Sequence, residues 1–274
     1  MKILTLNTHS WMEAEPWKKL DQLAEQITKH QYEVFALQEV NQSMTEKAKI
    51  VDSYYHPEAS NLPILADNFA ALLADKLQKE GIKYYWCWLP VHIGYGRYHE
   101  GLALFSKEPI TAEYLAVSQA TDFADFRTRK LLLGKTKVEE KEILFVNVHY
   151  SWWSDNSEEG FIWEWQQTMG RLSDERLPII LLGDFNNPAE REGEGYQLVS
   201  QNFRDSFLEA EKTSGEHTVM KAIDGWSENA EALRIDLVFT SDEFQIKSYE
   251  VLFDGRTTPV VSDHFGLEVQ LDFQ

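Results

Sequence analysis

The sequence has one cysteine, Cys87, among 274 residues. An intrachain disulfide is therefore impossible, and no Cys/His zinc pattern exists. No apolar run approaches the ~20 residues that span a bilayer. The opening MKILTLNTHSW has one lysine and no adequate apolar stretch for a signal peptide, so it reads as a first strand. Proline, glycine and serine are nowhere dense enough to mark a linker. Basic residues are scarce: 26 Lys and Arg face 45 Asp and Glu, a net charge of −19. Nucleic-acid binding rests on cations that neutralise phosphates. This balance weighs against a general nucleic-acid partner, although a local basic groove is still compatible with it. The expectation is a soluble, cytoplasmic chain with no membrane partner, forming one domain over residues 1–274.

Apolar and aromatic residues are plentiful. Hydrophobic content is 43%, enough for a large core. Strands are expected over Ile3–Leu6 and Glu33–Leu37, and a helical period runs from Trp17 to His30. A polar loop follows over Gln42–Pro63, then a helix over Leu65–Lys79 that stops at Gly81. Five strands succeed one another over Tyr84–Val91, Gly101–Ser106, Ile110–Val117, Lys130–Val138 and Glu142–His149. A helix over Ser157–Arg171 precedes the strand that begins at Pro178, and a short helix is expected over Gly195–Gln201. Strands over Arg234–Thr240, Phe244–Leu252 and Gly266–Phe273 close the chain. LTLNTH (4–9) and FVNVHY (145–150) echo each other, as two facing halves would. Many strands with a few interspersed helices fit a sheet-on-sheet sandwich with helices outside.

The apolar strands end on polar groups. Ile3–Leu6 runs into Asn7, and Val34–Leu37 into Gln38 and Glu39. Ile143–Val146 leads to Asn147 and His149, and Ile179–Leu182 to Asp184 and Asn186. Asp236 interrupts RIDLVF, while Asp263 and His264 lie in VVSDHFGL. For one segment such as LLGDFNNP a turn explains the composition equally well. Six such groups at strand ends are better explained by a shared polar centre, because an acidic group in an apolar run is costly unless paired or ion-bound. Carboxylate and amide oxygens favour Mg²⁺ or Mn²⁺ over zinc. Histidines with acidic partners supply proton transfer. Together these groups describe metal-assisted hydrolysis of a phosphate ester.

In order along the chain, LNTH, LQEV, EGLALFSK, VNVHY, GDFNNP, RIDLVF and SDHFG resemble the motif series of the endonuclease/exonuclease/phosphatase superfamily. The resemblance covers residues 3 to 267. It implies an α/β (α+β) four-layer sandwich, two mostly antiparallel β-sheets packed face to face with helices on both outer faces. It implies Mg²⁺, with Mn²⁺ as the alternative, held directly by Glu39 with Asn7 assisting. His264 becomes the general base and Asp236 the carboxylate that orients it. Asp263 either ligates the metal or helps to place His264. Asp184 and Asn186 position the water and contact phosphoryl oxygens. His149 donates to a phosphoryl oxygen, with Glu100 as its acidic partner. Arg234 either contacts phosphate or pairs with a neighbour.

The core motifs do not separate the superfamily's nucleases, sphingomyelinases, inositol-phosphate phosphatases and sugar-phosphate phosphatases. The loops near them, MEAEP (12–16), SDNSEEG (154–160), NPAEREGEGY (187–196) and DGWSENAE (224–231), are mostly acidic. FRTRK (126–130) is the notable basic cluster. Arg127 or Arg129 either holds a phosphate or opens a strand with solvated charges. HSW (9–11), GYGRYHEG (94–101) with Tyr98, HYSWW with Trp152 and Trp153, and DGW (224–226) place flat rings beside polar groups. Such rings stack on sugars when a pocket supplies polar partners, or simply cap the core. MKILTLNTHSW and HYSWW resemble the maltose 6'-phosphate phosphatases of Gram-positive bacteria. That resemblance implies a cytoplasmic sugar-phosphate phosphatase whose partner is a small phosphate ester. A nuclease of the same superfamily and a non-catalytic sugar- or partner-binding protein are the alternatives. A full set of metal and base positions argues for catalysis.

Overall fold

The apolar strands are buried on both faces in the computed structural model, which describes residues 1–57 and 62–274. β1 (Lys2–Asn7) sends Ile3 into one core, and Leu4 and Leu6 into another. β2 (Val34–Gln38) divides Val34 and Ala36 from Phe35 and Leu37 in the same way. This two-residue period, repeated on every central strand, builds a layered molecule.

The first sheet runs in the order β11 (Thr213–Ser214), β13 (Phe244–Leu252), β14 (Gly266–Phe273), β1, β2, β5 (Tyr98–Ser106) and β3 (Gln42–Ser43). β4 (Tyr85–Gly94) also pairs with β5. The second runs β10 (Arg204–Asp205), β12 (Asp236–Thr240), β9 (Ile179–Asp184), β8 (Lys141–His149), β7 (Lys130–Val138) and β6 (Thr111–Ala116). Pairing is mostly antiparallel. The exceptions are β1 with β2, β8 with β9, and β11 with β13. Ile3, Val34, Leu104, Phe145, Ile180 and Val238 are among the side chains that fill the space between the sheets. Helices α1 (Pro16–His30) and α2 (Phe69–Lys79) cover the outer face of the first sheet through Leu20, Leu23, Ile27, Leu73 and Leu77. α3 (Gly160–Leu172) and α4 (Gly195–Ser200) cover the second through Phe161, Trp165 and Val199. A short α5 (Ser206–Glu209) follows β10. The expected four-layer sandwich is the observed fold. The echoing segments LTLNTH and FVNVHY fall on β1 and β8, each paired in parallel with the central strand that follows its helix.

Several boundaries differ from the sequence expectation: β4 runs on to Gly94 and β5 starts at Tyr98, and three further differences have a local cause. The second helix starts at Phe69 and not Leu65, because Asn68 caps it by accepting the Ala71 N–H at 3.0 Å. Leu65 keeps its burial in the preceding turn, where the Gln42 side chain accepts its N–H. α3 starts at Gly160 and not Ser157. Side chains of Ser154 and Asn156 take up the backbone N–H groups of Asn156 and Glu158 and hold that stretch in turns. Arg234 and Ile235 precede β12, since the Arg234 N–H is bonded to the Glu190 carboxylate and not to a strand. Of the loop expected over Gln42–Pro63, residues 58–61 lie outside the described residues, and Gln42–Ser43 forms the short β3.

Candidate active site

Between the sheets the apolar alternation breaks at Thr5, Gln38 and Asn147, all fully buried. The Gln38 amide donates to Thr5 Oγ1 at 3.1 Å and to Asn147 Oδ1 at 2.7 Å. Asn147 in turn donates to the carbonyls of Leu37 and Ala103 at 3.0 and 2.8 Å, where the pairing of β2 with β5 ends. This network ties the two sheets together and lets their strand ends converge. Gly183 completes it. Its φ is 140°, and a Cβ there would meet the Val148 carbonyl oxygen at 2.1 Å.

The polar side chains at the strand ends lie beyond this network. The Asn7 amide donates to Glu39 Oε1 at 2.8 Å and to Asp184 Oδ2 at 3.0 Å, joining β1, β2 and β9. Its own Oδ1 accepts the His9 N–H. His264 Nδ1 lies 2.8 Å from Asp236 Oδ2, and its Nε2 lies 3.8 Å from Asp184 Oδ2. His149 Nε2 lies 3.6 Å from the same Asp184 oxygen and 3.9 Å from Glu39 Oε1. Asn186 donates to the Tyr150 carbonyl and accepts the Trp226 indole N–H at 2.9 Å. Glu39, Tyr95 and Asn186 all have left-handed backbones (φ 51°, 54° and 50°). Such strain on non-glycine residues collects at functional sites.

Burial and crowded charge shift these groups. Burial, with the Glu100 charge added, pushes the Glu39 carboxyl up to about 8. Burial likewise raises Asp184 to about 6, against the opposing pull of His264. Burial works to lower His264, but the Asp236 and Asp184 carboxylates hold it well above the ordinary imidazole value. His149 is held well below that value, first by burial and then by the Arg129 cation. Two histidines in one cavity therefore carry different charges.

The cavity has a volume of about 270 Å³. Its lining includes Glu39, Glu100, His149, Asp184, Asn186 and His264. A larger chamber of about 700 Å³ adjoins it, and Phe126, Arg129 and Trp152 line both. Arg129 is buried, donates from Nε to Ser151 Oγ at 3.3 Å, and stands 6.0 Å over the Trp152 ring. Trp153 lines the chamber, and its indole N–H donates to Asp155.

Several expected placements are corrected. Glu100 pairs with His92 Nε2 at 3.2 Å, because β4 and β5 set the two residues directly opposite each other; it is not held by His149. Of the two readings of Arg234, pairing with a neighbour is the observed one: it is bonded to Asp205 at 2.8 Å and packed on Tyr196 and Phe207, outside the cavity lining, so the phosphate contact is set aside. Tyr98 is buried in β5 under Arg97, and of the two hairpin tyrosines it is Tyr95 that reaches the cavity. Arg127 is exposed and paired with Asp125, so of the FRTRK arginines Arg129 is the one in the cavity lining. Asp263 lies beside His9, 3.6 Å from its Nδ1, and not against His264. His92, Tyr95, Asp224, His9 and Glu13 were missed as individual residues. His92 carried a readable signal, a histidine inside the apolar strand WCWLPVHIG.

A divalent cation fits these donors. Glu39, His149 and Asp184 can each place a ligand atom within 4.8 Å of the others. Glu39 Oε2 is buried with no hydrogen-bond partner among the described residues, a costly arrangement that a cation relieves. No helix among the described residues is long and apolar enough to cross a membrane.

The chain belongs to the endonuclease/exonuclease/phosphatase family, which residues 13–264 match. Members are metal-dependent hydrolases of phosphate esters, phosphatases and nucleases among them. An endonuclease/exonuclease/phosphatase family protein from Leptotrichia buccalis C-1013-b is 33% identical, with TM-score 0.86 and full coverage of both chains. Two more distant structures share the fold over the full length of both chains. The mannosyl-6-phosphatase of Bacteroides thetaiotaomicron VPI-5482 is 17% identical with TM-score 0.68. The 3' phosphatase NExo of Neisseria, bound to product DNA hairpin, is 18% identical with TM-score 0.61. No curated protein sequence matches the chain.

Proposed function

We propose that this chain, as one domain, is a metal-dependent phosphomonoesterase of the cytoplasm that acts on a phosphorylated disaccharide, with maltose 6'-phosphate the first substrate to try. The supporting observation is that the cavity holding Glu39, His149 and Asp184 shares Phe126, Arg129 and Trp152 with a neighbouring aromatic chamber. The phosphoryl group belongs among Glu39, His149, Asp184 and Arg129. The remainder of the substrate extends into the chamber, between Trp152, Trp153, Trp163 and Phe126. Flat rings with polar neighbours suit the faces and hydroxyls of a neutral sugar. The chamber carries Asp125, Glu158 and Glu159 against Arg127 and Arg129, with Asp125 paired to Arg127, so it is not the cationic track that a nucleic-acid backbone needs. The mannosyl-6-phosphatase, a sugar-phosphate enzyme by name, favours the same reading. A single cysteine suits a reducing compartment.

The residues divide the work. Asp236 holds His264 at Nδ1, so Nε2 faces the cavity and takes the proton of the attacking water. Asp184 and Asn186 fix that water and the phosphoryl oxygens. Neutral His149 offers an N–H to a phosphoryl oxygen. Arg129 faces the dianionic end that distinguishes a monoester from a diester. Glu39, assisted by Asn7, would hold the metal. A divalent cation there supplies positive charge against a phosphoryl oxygen and offsets the carboxylates that keep His264 protonated. The P–O bond to the sugar breaks, releasing the sugar alcohol and phosphate.

The test is phosphate release from maltose 6'-phosphate, glucose 6-phosphate and a 3'-phosphorylated DNA hairpin, each with Mg²⁺ and with Mn²⁺. The expected result is a kcat/KM for the disaccharide about tenfold or more above the others, roughly 1.4 kcal/mol of selectivity. Preference for the hairpin would establish the nucleic-acid reading instead. Binding of the sugars without release of phosphate would mean a non-catalytic protein.

A further inference from the structure

The stretch DGW (224–226) sets an aromatic ring beside polar groups, and the mechanism above leaves it unused. Its three residues meet three walls of the catalytic cavity. Asp224 accepts the Tyr95 hydroxyl from the turn between β4 and β5. Gly225 has φ +75°, and a Cβ there would meet the Trp152 ring at 2.7 Å. The Trp226 indole N–H donates to Asn186 Oδ1 at 2.9 Å. Asp224 and Gly225 line the cavity, whereas Trp226 does not. Any influence of Trp226 on the reaction therefore passes through Asn186.

A small core holds this ring. Val219, Ile223, Leu233 and Ile235 form a cluster apart from the three large ones, and Trp226 packs against it. Val219 and Leu233 exchange backbone hydrogen bonds at 3.0 and 2.8 Å, which close the excursion between them. The Trp226 backbone N–H donates to the Ile223 carbonyl at 3.1 Å, and the Arg191 guanidinium stands 5.2 Å from the ring centre. The cluster is tied to the end of β9, where the Phe185 N–H donates to the Ile235 carbonyl at 2.9 Å.

Asn186 is the residue this ring reaches. Its backbone is left-handed, and its N–H donates to Asp184 Oδ1 at 2.8 Å. In the side chain, Nδ2 donates to the Tyr150 carbonyl at 2.9 Å and Oδ1 accepts the indole N–H. An indole N–H only donates and a carbonyl only accepts, so turning the amide over would lose both bonds. Nδ2 carries two hydrogens. One meets the Tyr150 carbonyl, and among the described residues the other has no acceptor. That second N–H is left for the cavity that Asn186 lines.

We infer that Trp226 is a positioning residue: its indole N–H holds the Asn186 amide so that Nδ2 serves a phosphoryl oxygen and Oδ1 is turned away. Without that bond only the Tyr150 carbonyl opposes turning the amide over. The turned amide would set Oδ1, which repels a phosphoryl oxygen, in place of the donor. A donor fixed before the reaction begins costs no reorganisation when charge develops on the phosphoryl group. The inference rests on the phosphoryl contact proposed above for Asn186 and is independent of the sugar.

The experiment uses the full chain with Mg²⁺ and 4-nitrophenyl phosphate, which carries no sugar. Asn186→Ala should lower kcat about 10²-fold, the usual cost of one transition-state donor. Trp226→Phe keeps a ring on the cluster and deletes the N–H. It should lower kcat about tenfold, with KM changed less than about twofold and the melting temperature kept within about 2 °C. On the Asn186→Ala background Trp226→Phe should cost nothing more, because its route is gone. Orthovanadate, a five-coordinate mimic of the transition state, gives a readout that needs no turnover. Its affinity by calorimetry should fall about tenfold in Trp226→Phe and no further in the double variant than in Asn186→Ala. Wild-type kcat in Trp226→Phe, or the same loss on both backgrounds, overturns the inference: Trp226 then only packs on its cluster, and the hydrolase reading stands. Wild-type kcat in Asn186→Ala overturns it as well. If the wild type hydrolyses no ester, the hydrolase reading fails, and the vanadate affinities still decide: the expected pattern upholds the positioning role, and equal affinities in all variants overturn it.

Discussion

The catalytic cavity and the chamber beside it are built differently. Glu39, Glu100, His149 and Asp184 sit on or just beyond the ends of paired strands, and Asn7 and the Gln38–Asn147 network tie those ends together. The chamber draws on the stretches around 118–129 and 151–164. Phe126 there is 59% exposed, and the Trp152 indole N–H has no hydrogen-bond partner among the described residues. Geometry set by two sheets is hard to alter without unfolding the centre, whereas loop side chains on the same frame are free to vary. Under the proposed function, the chemistry belongs to the first region and the choice of substrate to the second. Substitutions that damage only kcat or only KM are the direct way to break this contrast.

The largest effect is expected at the end of a strand. His264→Ala removes the proposed proton acceptor while leaving Arg129 and the chamber untouched. Phosphate release should fall about 10³-fold in kcat with KM changed less than about twofold. A KM change as large as the kcat change would mean that the two regions do not divide the work.

That contrast also explains what the sequence disclosed. Asn7, Glu39, His149, Asp184, Asp236 and His264 were legible because each ends or interrupts an apolar run, where a polar group is expensive. Arg234 entered only through the family resemblance, and its partner was not readable: Asp205 lies 29 positions earlier, and the pairing of β10 with β12 brings the two together. Glu100 was named only through the family resemblance, as the partner of His149, and its pairing with His92 was not readable because that contact is set by the register of β4 on β5. Tyr98 and Tyr95 lie three residues apart in one hairpin, and composition cannot tell which ring faces the cavity. The layers followed from periodicity. The helix starts at Phe69 and Gly160 did not, because local side-chain bonds to the backbone decide them.

Glu164 sharpens the contrast, since it is the chamber residue built like a cavity residue. It is buried, accepts the Ser151 N–H at 2.8 Å, and through Ser151 connects to Arg129. Burial raises its carboxyl from 4.5 to about 7, with Arg129 and Ser151 pulling the other way. A carboxyl raised in the folded state contributes stability that is fully present below its unfolded value and lost as pH rises through the folded value. Wild type and Glu164→Gln should therefore melt alike near pH 4. Between about pH 4.5 and pH 7 the wild type should lose on the order of 3 kcal/mol relative to the variant, and no more above that. Chemical denaturation at several pH values measures this, and a constant difference across the range would place the Glu164 charge in water.

The smallest effect tests recognition alone. Trp163 stands on the first turn of α3, half-buried, and lines the chamber but not the catalytic cavity. Trp152 would be a poorer probe, because it lines both spaces and packs on Gly225. Trp163→Ala removes one flat face from the region where a second sugar would lie. For a phosphorylated disaccharide KM should rise about tenfold, roughly 1.4 kcal/mol, with kcat preserved. For glucose 6-phosphate, whose single ring stays near Arg129, both constants should be unchanged. If the two substrates lost equally, the ring would be acting on the shape of the cavity and not on the substrate. If neither lost, the chamber would be open space beside the site, and the strand ends alone would determine what this enzyme hydrolyses.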